Sequence, residues 1–233
     1  MTDRPIIFSA PMVRALIEGR KFQTRRILKL AGRLPDYVGG RGFTHDPTCW
    51  GWEDSNNGDY VTIEKEPGQR MGWRDWRGAY RAGDRLWVKE THARYPEGDL
   101  CLPHYMADGP IPSISDRHDA GLLIKYPSIF CPRWASRLTL TVTDVRVQRL
   151  NDISDADARA EGCLRNPGPT EYGDHFSAEV VPESFGDQGW DCACDWFADL
   201  WNSIHGPDAW DKNPWIIALT FDVHRGNIDE VQP

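Results

Sequence analysis

The alternation of apolar and polar residues predicts a few regular elements. Leu86, Val88 and Glu90 share one face of a strand that runs to residue 91, because successive side chains of a strand point to opposite faces. Residues 137–150 alternate in the same way but shift phase near Asp144, which predicts a long strand with a bulge. The pattern also predicts strands at 5–8 and 215–223, a return into a strand at Ile27 and Leu28, and helices at 10–18, 154–162 and 191–204.

Long stretches rich in glycine, proline and tryptophan separate these elements. They lie at about 31–80, 94–132 and 165–190 and have no sustained periodicity, apart from a possible short hairpin at 60–63. We therefore expect an α+β fold with a single domain over residues 1–233, in which these stretches are irregular insertions.

One short stretch concentrates groups that could carry chemistry. A glycine turn at Gly19 leads into Lys21, Thr24 and the paired arginines Arg25 and Arg26. A turn held between a helix and a strand fixes side chains better than an isolated loop. Glu90 is carried inward by its strand, and a buried carboxylate needs a partner, for which Lys21 is the candidate.

These residues resemble the ASCH family, whose members have a PUA-like mixed β-barrel and a G-x-K-x-x-x-x-R signature. Gly19, Lys21 and Arg26 match that signature, and residues 82–91 resemble the family's strand that ends on a glutamate. The tryptophan-containing segments 71–76, 132–137 and 213–215 resemble the long ASCH-like proteins of phages and prophages.

The resemblance implies an amidohydrolase that removes the acetyl group from N4-acetylcytidine, with Lys21, Thr24 and Glu90 as catalytic residues. Two assignments are open. In the first, Lys21 activates Thr24 and Glu90 passes a proton to the leaving nitrogen. In the second, Glu90 activates water while Lys21 and Thr24 polarise the carbonyl. A structural interpretation also exists: Thr24 caps a turn, and Lys21 is solvated or forms an ordinary bridge with Glu90.

Further side chains are candidates for contacting the substrate. Arg25 and Arg26 would contribute to a local basic cleft, although Arg26 could instead brace a strand end. Trp134 could stack on a base while Arg133 or Arg137 meets a phosphate, or it could fill the end of the barrel. Trp73 and Trp76 present the same choice.

Charge and composition limit the possible partners. Residues 151–233 carry four basic against seventeen acidic side chains, which argues against a protein that coats nucleic acid. The chain has no transmembrane or signal segment, so we expect it in the cytoplasm of a bacterial host, with its six cysteines reduced. It has no motif for a cofactor and no complete metal-ligand set.

Three other functions are compatible with these residues. The chain could be a non-catalytic module that binds a modified nucleoside or a short single-stranded RNA. It could be a ribonuclease that uses Lys21 and Glu90 as acid and base. It could also be a phage protein that binds a host or virion protein through its acidic C-terminal third.

Overall fold

A computed structural model of the chain describes residues 2–28, 36–37, 50–53, 60–62, 80–94, 103–110, 124–166, 175–177 and 190–231. Within those ranges the fold is a mixed α+β structure, as the pattern of alternating segments predicts. The strands are β1 (Asp3–Ile7), β2 (Gln23–Ile27), β3 (Asp36–Tyr37), β4 (Trp50–Glu53), β5 (Tyr60–Thr62), β6 (Arg85–Lys89), β7 (His92–Arg94), β8 (His104–Tyr105), β9 (Ile124–Tyr126), β10 (Leu138–Arg149), β11 (Leu164–Asn166), β12 (His175–Ser177) and β13 (Trp215–Arg225). The α-helices are α1 (Ala10–Ile17), α2 (Asp155–Ala160) and α3 (Ala193–His205).

Five strands form the central sheet in the order β1, β6, β10, β13, β2. The pair β1 and β6 is parallel, and the other neighbours are antiparallel. Among the described residues the sheet does not close into a hydrogen-bonded barrel, and β1 and β2 are its edges. The two edges nevertheless come within reach of a side chain. Arg26 of β2 donates a hydrogen bond of 2.8 Å to the carbonyl of Ile7 in β1.

The central strands confirm the predicted alternation. Leu86, Val88 and Glu90 are all buried, with exposed fractions of 0%, 1% and 1%. The register between β10 and β13 shifts between Val142 and Asp144, which is the predicted bulge. One extra residue at this point explains why the apolar pattern changes phase along β10.

Strand β13 is buried on both faces and divides the core into two clusters. Ile217 and Leu219 belong to a cluster with Phe8 and helix α1, whereas Ile216 and Ala218 belong to a cluster with helix α3. We call the first of these the inner face of the sheet and the second the α3 face. Any residue of β2 is assigned to one face by its register with β13.

Helix α2 is capped at both ends. The Ser154 hydroxyl accepts a hydrogen bond of 3.1 Å from the N–H of Asp157 at the start of α2, and Gly162 follows the helix with a φ of +109°. Helix α3 buries Trp196, Phe197 and Trp201 against the sheet.

Two predictions about local structure are wrong. Strand β2 begins at Gln23, earlier than the return at Ile27, because pairing with β13 already starts where Gln23 lies opposite Thr220. The predicted insertions are also not wholly irregular. Short strands within or at the margins of them pair into small antiparallel sheets, namely β3–β4–β5, β8–β7–β9 and β11–β12. Strands of two to four residues are too short to show periodicity.

Candidate functional site

Lys21 is fully buried in the connection between α1 and β2. Its exposed fraction is 0%, so the interpretation of a solvated lysine is wrong. The backbone N–H of Lys21 donates to the carbonyl of Ala15 at 3.0 Å, which folds the chain back onto α1. The Nζ atom lies 5.5 Å from the ring centroid of Phe8, the residue that follows β1 on the inner face. A buried ammonium of this kind must be paired.

The partner of Lys21 is Glu161, at the end of α2. Nζ donates to Glu161 Oε2 at 2.6 Å and to the Glu161 carbonyl at 2.9 Å. The close approach depends on Gly162, where a Cβ would lie 2.9 Å from the Cβ of Ala15 and 3.0 Å from that of Lys21. The absence of a side chain at Gly162 therefore lets the end of α2 reach the lysine.

Glu161 also binds a second buried cation. Its Oε1 accepts a hydrogen bond of 3.0 Å from Nη1 of Arg25, whose side chain is fully buried. Arg25 Nη2 lies 3.3 Å from Asp157 Oδ2, but neither Nη2 nor Nε makes a hydrogen bond with any described residue. The guanidinium is centred 5.7 Å above the Phe197 ring of α3. One carboxylate thus serves two cations and ties β2 to helices α2 and α3.

Burial sets the protonation of Lys21. Desolvation lowers its pKa below 10.5, and the Glu161 carboxylate opposes this shift because it stabilises the ammonium. Arg26 and Arg25 add to the lowering. Removal of Glu161 would leave only effects that favour the neutral amine.

Strand alternation separates the three residues that follow Gln23. Thr24 pairs with Leu219 and Arg26 with Ile217, so both lie on the inner face, whereas Arg25 pairs with Ala218 on the α3 face. The two arginines that the sequence placed in one basic cleft are therefore on opposite faces of β2.

The inner-face residues of β2 differ in how they are engaged. Thr24 is buried, with an exposed fraction of 3%. Arg26 braces the strand edge through the Ile7 carbonyl, and its guanidinium lies 5.3 Å from the Phe8 centroid.

Glu90 pairs with Arg137, so the predicted pair between Lys21 and Glu90 is wrong. Arg137 Nε and Nη2 bind Glu90 Oε1 and Oε2 at 2.8 and 3.0 Å, and Nη1 binds Asp108 at 2.6 Å. The guanidinium stacks 3.9 Å from the ring centroid of Tyr105. A planar guanidinium satisfies both oxygens of a carboxylate, which an ammonium does not.

The surroundings of Glu90 make it a stronger base than an ordinary glutamate. Burial raises the pKa of Glu90 above 4.5, and the hydrogen bonds from Arg137, which would lower it, do not cancel this effect. Neighbouring His92 is fully buried, and its Nδ1 lies 3.2 Å from the Glu90 carbonyl. Burial lowers the pKa of His92.

Phe8 lies between the two ion-paired clusters. Its N–H donates to the Lys89 carbonyl at 3.1 Å, which continues the pairing of β1 with β6 by one residue and places Phe8 beside Glu90. The Phe8 ring faces both Lys21 and Arg26. The inner face therefore brings Lys21, Phe8 and Glu90 to one end of the β1–β6 pair.

Two further candidates lie at the surface. Arg133 is bound by Asp229, with contacts of 2.6 to 3.1 Å, and by Asp3 at 2.7 Å. Trp134 is 59% exposed, so it does not fill the end of a barrel. Trp73 and Trp76 lie outside the described residues.

Sequence reasoning did not find Glu161 and Phe8, and it assigned Arg137 only to a possible phosphate contact. Glu161 is 140 residues from Lys21, and no spacing rule connects them. The Gly162 that follows a capped helix is the only local signal, and it indicates where a helix ends, not what the helix end touches.

Comparisons with known proteins add no relative to this description, since no protein family, curated protein or solved structure matches the chain. No described helix is long and apolar enough to cross a membrane.

Proposed function

We propose that the chain is a PUA-like protein of the ASCH type that recognises a nucleobase and hydrolyses the acyl amide of N4-acylcytidine-type nucleosides. The observation that carries the proposal is the burial of Lys21, Thr24 and Glu90, whose exposed fractions are 0%, 3% and 1%. Lys21 and Glu90 have perturbed pKa values, and Thr24 supplies a hydroxyl on a buried side chain. The approach of edge strands β1 and β2 supports the relation to a barrel fold.

The partners of these groups favour one of the two assignments. The Glu161 carboxylate 2.6 Å from Nζ stabilises the ammonium, so Lys21 polarises the amide carbonyl together with the Thr24 hydroxyl. Glu90, with its raised pKa, removes a proton from water as the water oxygen attacks the carbonyl carbon. The carbon–nitrogen bond then breaks, Glu90 returns the proton to N4, and the products are the carboxylic acid and cytidine.

A hydrolysis assay on N4-acetylcytidine, as the free nucleoside and within a short RNA, tests this proposal. We expect Thr24→Val to lower kcat about 10²- to 10³-fold, the range for loss of one oxyanion donor, while leaving the fold intact because valine keeps the branched shape of threonine. Thr220→Val is the matched control, since Thr220 lies opposite Gln23 in the neighbouring strand and shares the α3 face of Ala218. Equal turnover by both variants, or none by the wild type, contradicts the proposal.

Trapping distinguishes this route from nucleophilic attack by Thr24. In the water route, added hydroxylamine does not replace the carboxylic acid product with a hydroxamate. A peptide with acylated Thr24 does not accumulate either. Detection of an acyl ester on Thr24 would instead assign Lys21 as the base for that hydroxyl.

A non-catalytic binding module is the second candidate, and one observation favours it. Lys21 and Glu90 are each held by a charged partner, as in a structural ion pair. Under this alternative, N4-acetylcytidine binds without turnover, and Thr24→Val weakens the affinity and changes no rate.

A further inference from the structure

An exposed aromatic surface lies beside the Glu90 end of the sheet. Two short 3-10 helices, Ser128–Phe130 and Arg133–Ala135, carry Phe130 and Trp134, which are 64% and 59% exposed. Large rings at this exposure lie mostly outside the core and are open to a partner.

Two cations flank these rings. Lys89 donates from Nζ to the carbonyl of Ile129, beside Phe130, and lies 5.5 Å from the Trp87 centroid. Arg94 stands between two rings, 4.7 Å from the centroid of Tyr126 and 5.6 Å from that of Trp134. The surface therefore alternates rings and cations, and we call it the aromatic–cation surface, made of Trp87, Lys89, Arg94, Tyr126, Phe130 and Trp134.

The cations of this surface have no carboxylate partner among the described residues. This sets them apart from Arg133 and Arg137, whose charges are met by Asp3, Asp229, Glu90 and Asp108. Arg94 Nε also has no hydrogen-bond acceptor within the described part of the chain. In a chain with a net charge of −8, two cations without a described carboxylate partner beside exposed rings favour a flat, anionic partner.

We propose that the aromatic–cation surface binds a single-stranded polynucleotide, whose bases stack on Trp134 and Phe130 while Lys89 and Arg94 meet its phosphates. Exposed rings take unpaired bases and not the stacked interior of a duplex. The surface adjoins the site because Tyr105, which stacks on Arg137, donates from its hydroxyl to the Ala135 carbonyl at 2.8 Å. The polynucleotide is the substrate only under the proposed function, on which this part of the inference rests. The modified cytidine is then one nucleotide of the bound single-stranded nucleic acid.

The test is equilibrium binding of unmodified single-stranded RNA, single-stranded DNA and duplex of the same sequence to the full chain. We expect single strands to bind more tightly than the duplex. The logarithm of the binding constant should fall with the logarithm of salt concentration with a slope of about −1.4, from two phosphate contacts. Trp134→Ala should weaken binding roughly 5- to 150-fold, the range for loss of one stacked base.

Matched controls separate this surface from general charge and apolarity. Lys125 is exposed in β9 but pairs with Ala93, so it lies on the opposite face of its strand from Tyr126. We expect Lys89→Ala and Arg94→Ala to reduce the salt slope, and Lys125→Ala to leave it unchanged. Ile204, 51% exposed on α3, is the control for Phe130, so that Ile204→Ala should not alter binding whereas Phe130→Ala should.

The results distinguish failure of this inference from failure of the proposed function. Single-strand binding that Trp134→Ala weakens, in a protein without hydrolytic activity, supports the surface and removes the enzyme. Hydrolysis of the nucleoside by a protein that binds no single strand at low salt overturns the surface alone. Self-association that Trp134→Ala abolishes, without binding of any oligonucleotide, also overturns it and assigns the surface to a second copy of the chain.

Discussion

A single substitution at Glu161 affects two buried cations at once. The Glu161 carboxylate binds Lys21 at 2.6 Å and Arg25 at 3.0 Å, and the three side chains are between 0% and 3% exposed. Glu161→Gln keeps the shape of the side chain but removes the only full negative charge that both cations contact within hydrogen-bonding distance among the described residues.

The size of the effect follows from this geometry. Removal of one member of a buried ion pair costs about 3–5 kcal/mol, because the remaining charge stays buried without compensation. For a chain of this length, each kcal/mol corresponds to about 2–4 °C in Tm, so we expect a fall of about 6–20 °C. Urea unfolding followed by tryptophan fluorescence should show a lower midpoint with an unchanged slope.

Two further variants make this prediction specific. Glu18→Gln removes the carboxylate of an ion pair with Arg20 in which the Glu18 side chain is 50% exposed, and we expect it to cost at most about 1 kcal/mol. Lys21→Met combined with Glu161→Gln should recover part of the loss, since one of the two uncompensated cations is gone. A Glu161→Gln protein within about 1 kcal/mol of the wild type would refute the reasoning.

The pH dependence gives an independent measure of the same network. Burial holds the pKa of Lys21 below 10.5, so the unfolded chain retains the proton at pH values where the folded chain has lost it. Stability therefore rises with pH between the folded pKa and 10.5. Glu161→Gln should move the start of this rise to lower pH, and Lys21→Met should abolish it.

Two other predictions follow from close contact and from burial. Gly162→Ala should cost more stability than Gly206→Ala in urea unfolding. Both glycines have positive φ, but of the two only Gly162 would place its new Cβ against another atom, the Cβ of Ala15 at 2.9 Å. Equal losses of stability would contradict the steric argument. The raised pKa of Glu90 makes the wild type lose stability as pH rises from 4.5 through the folded pKa. The Glu90→Gln variant should not lose stability over this pH range, and its Arg137 keeps the bond to Asp108. Identical profiles of stability against pH for wild type and variant would contradict the raised pKa of Glu90.

Local patterns in the sequence were sufficient where a single periodicity describes the environment. The alternation in β6 predicted that Glu90 is buried with Leu86 and Val88, and the phase change in β10 predicted its bulge. The cap at Ser154 likewise follows from neighbours in the chain. In each case the determining contacts lie within a few residues, so the sequence alone contains them.

The ion pairs were decided by the tertiary structure. The sequence required that buried Glu90 have a partner but did not identify it, because the cost of burying a charge is the same whichever group compensates it. Arg137 is 47 residues from Glu90, and Glu161 is 140 residues from Lys21. The start of β2 at Gln23 was similarly set by its pairing with β13, which placed Arg25 and Arg26 on opposite faces. The sequence by itself thus determined the burial of the side chains that alternate along β6 and β10, and the packing of distant segments determined which charges meet.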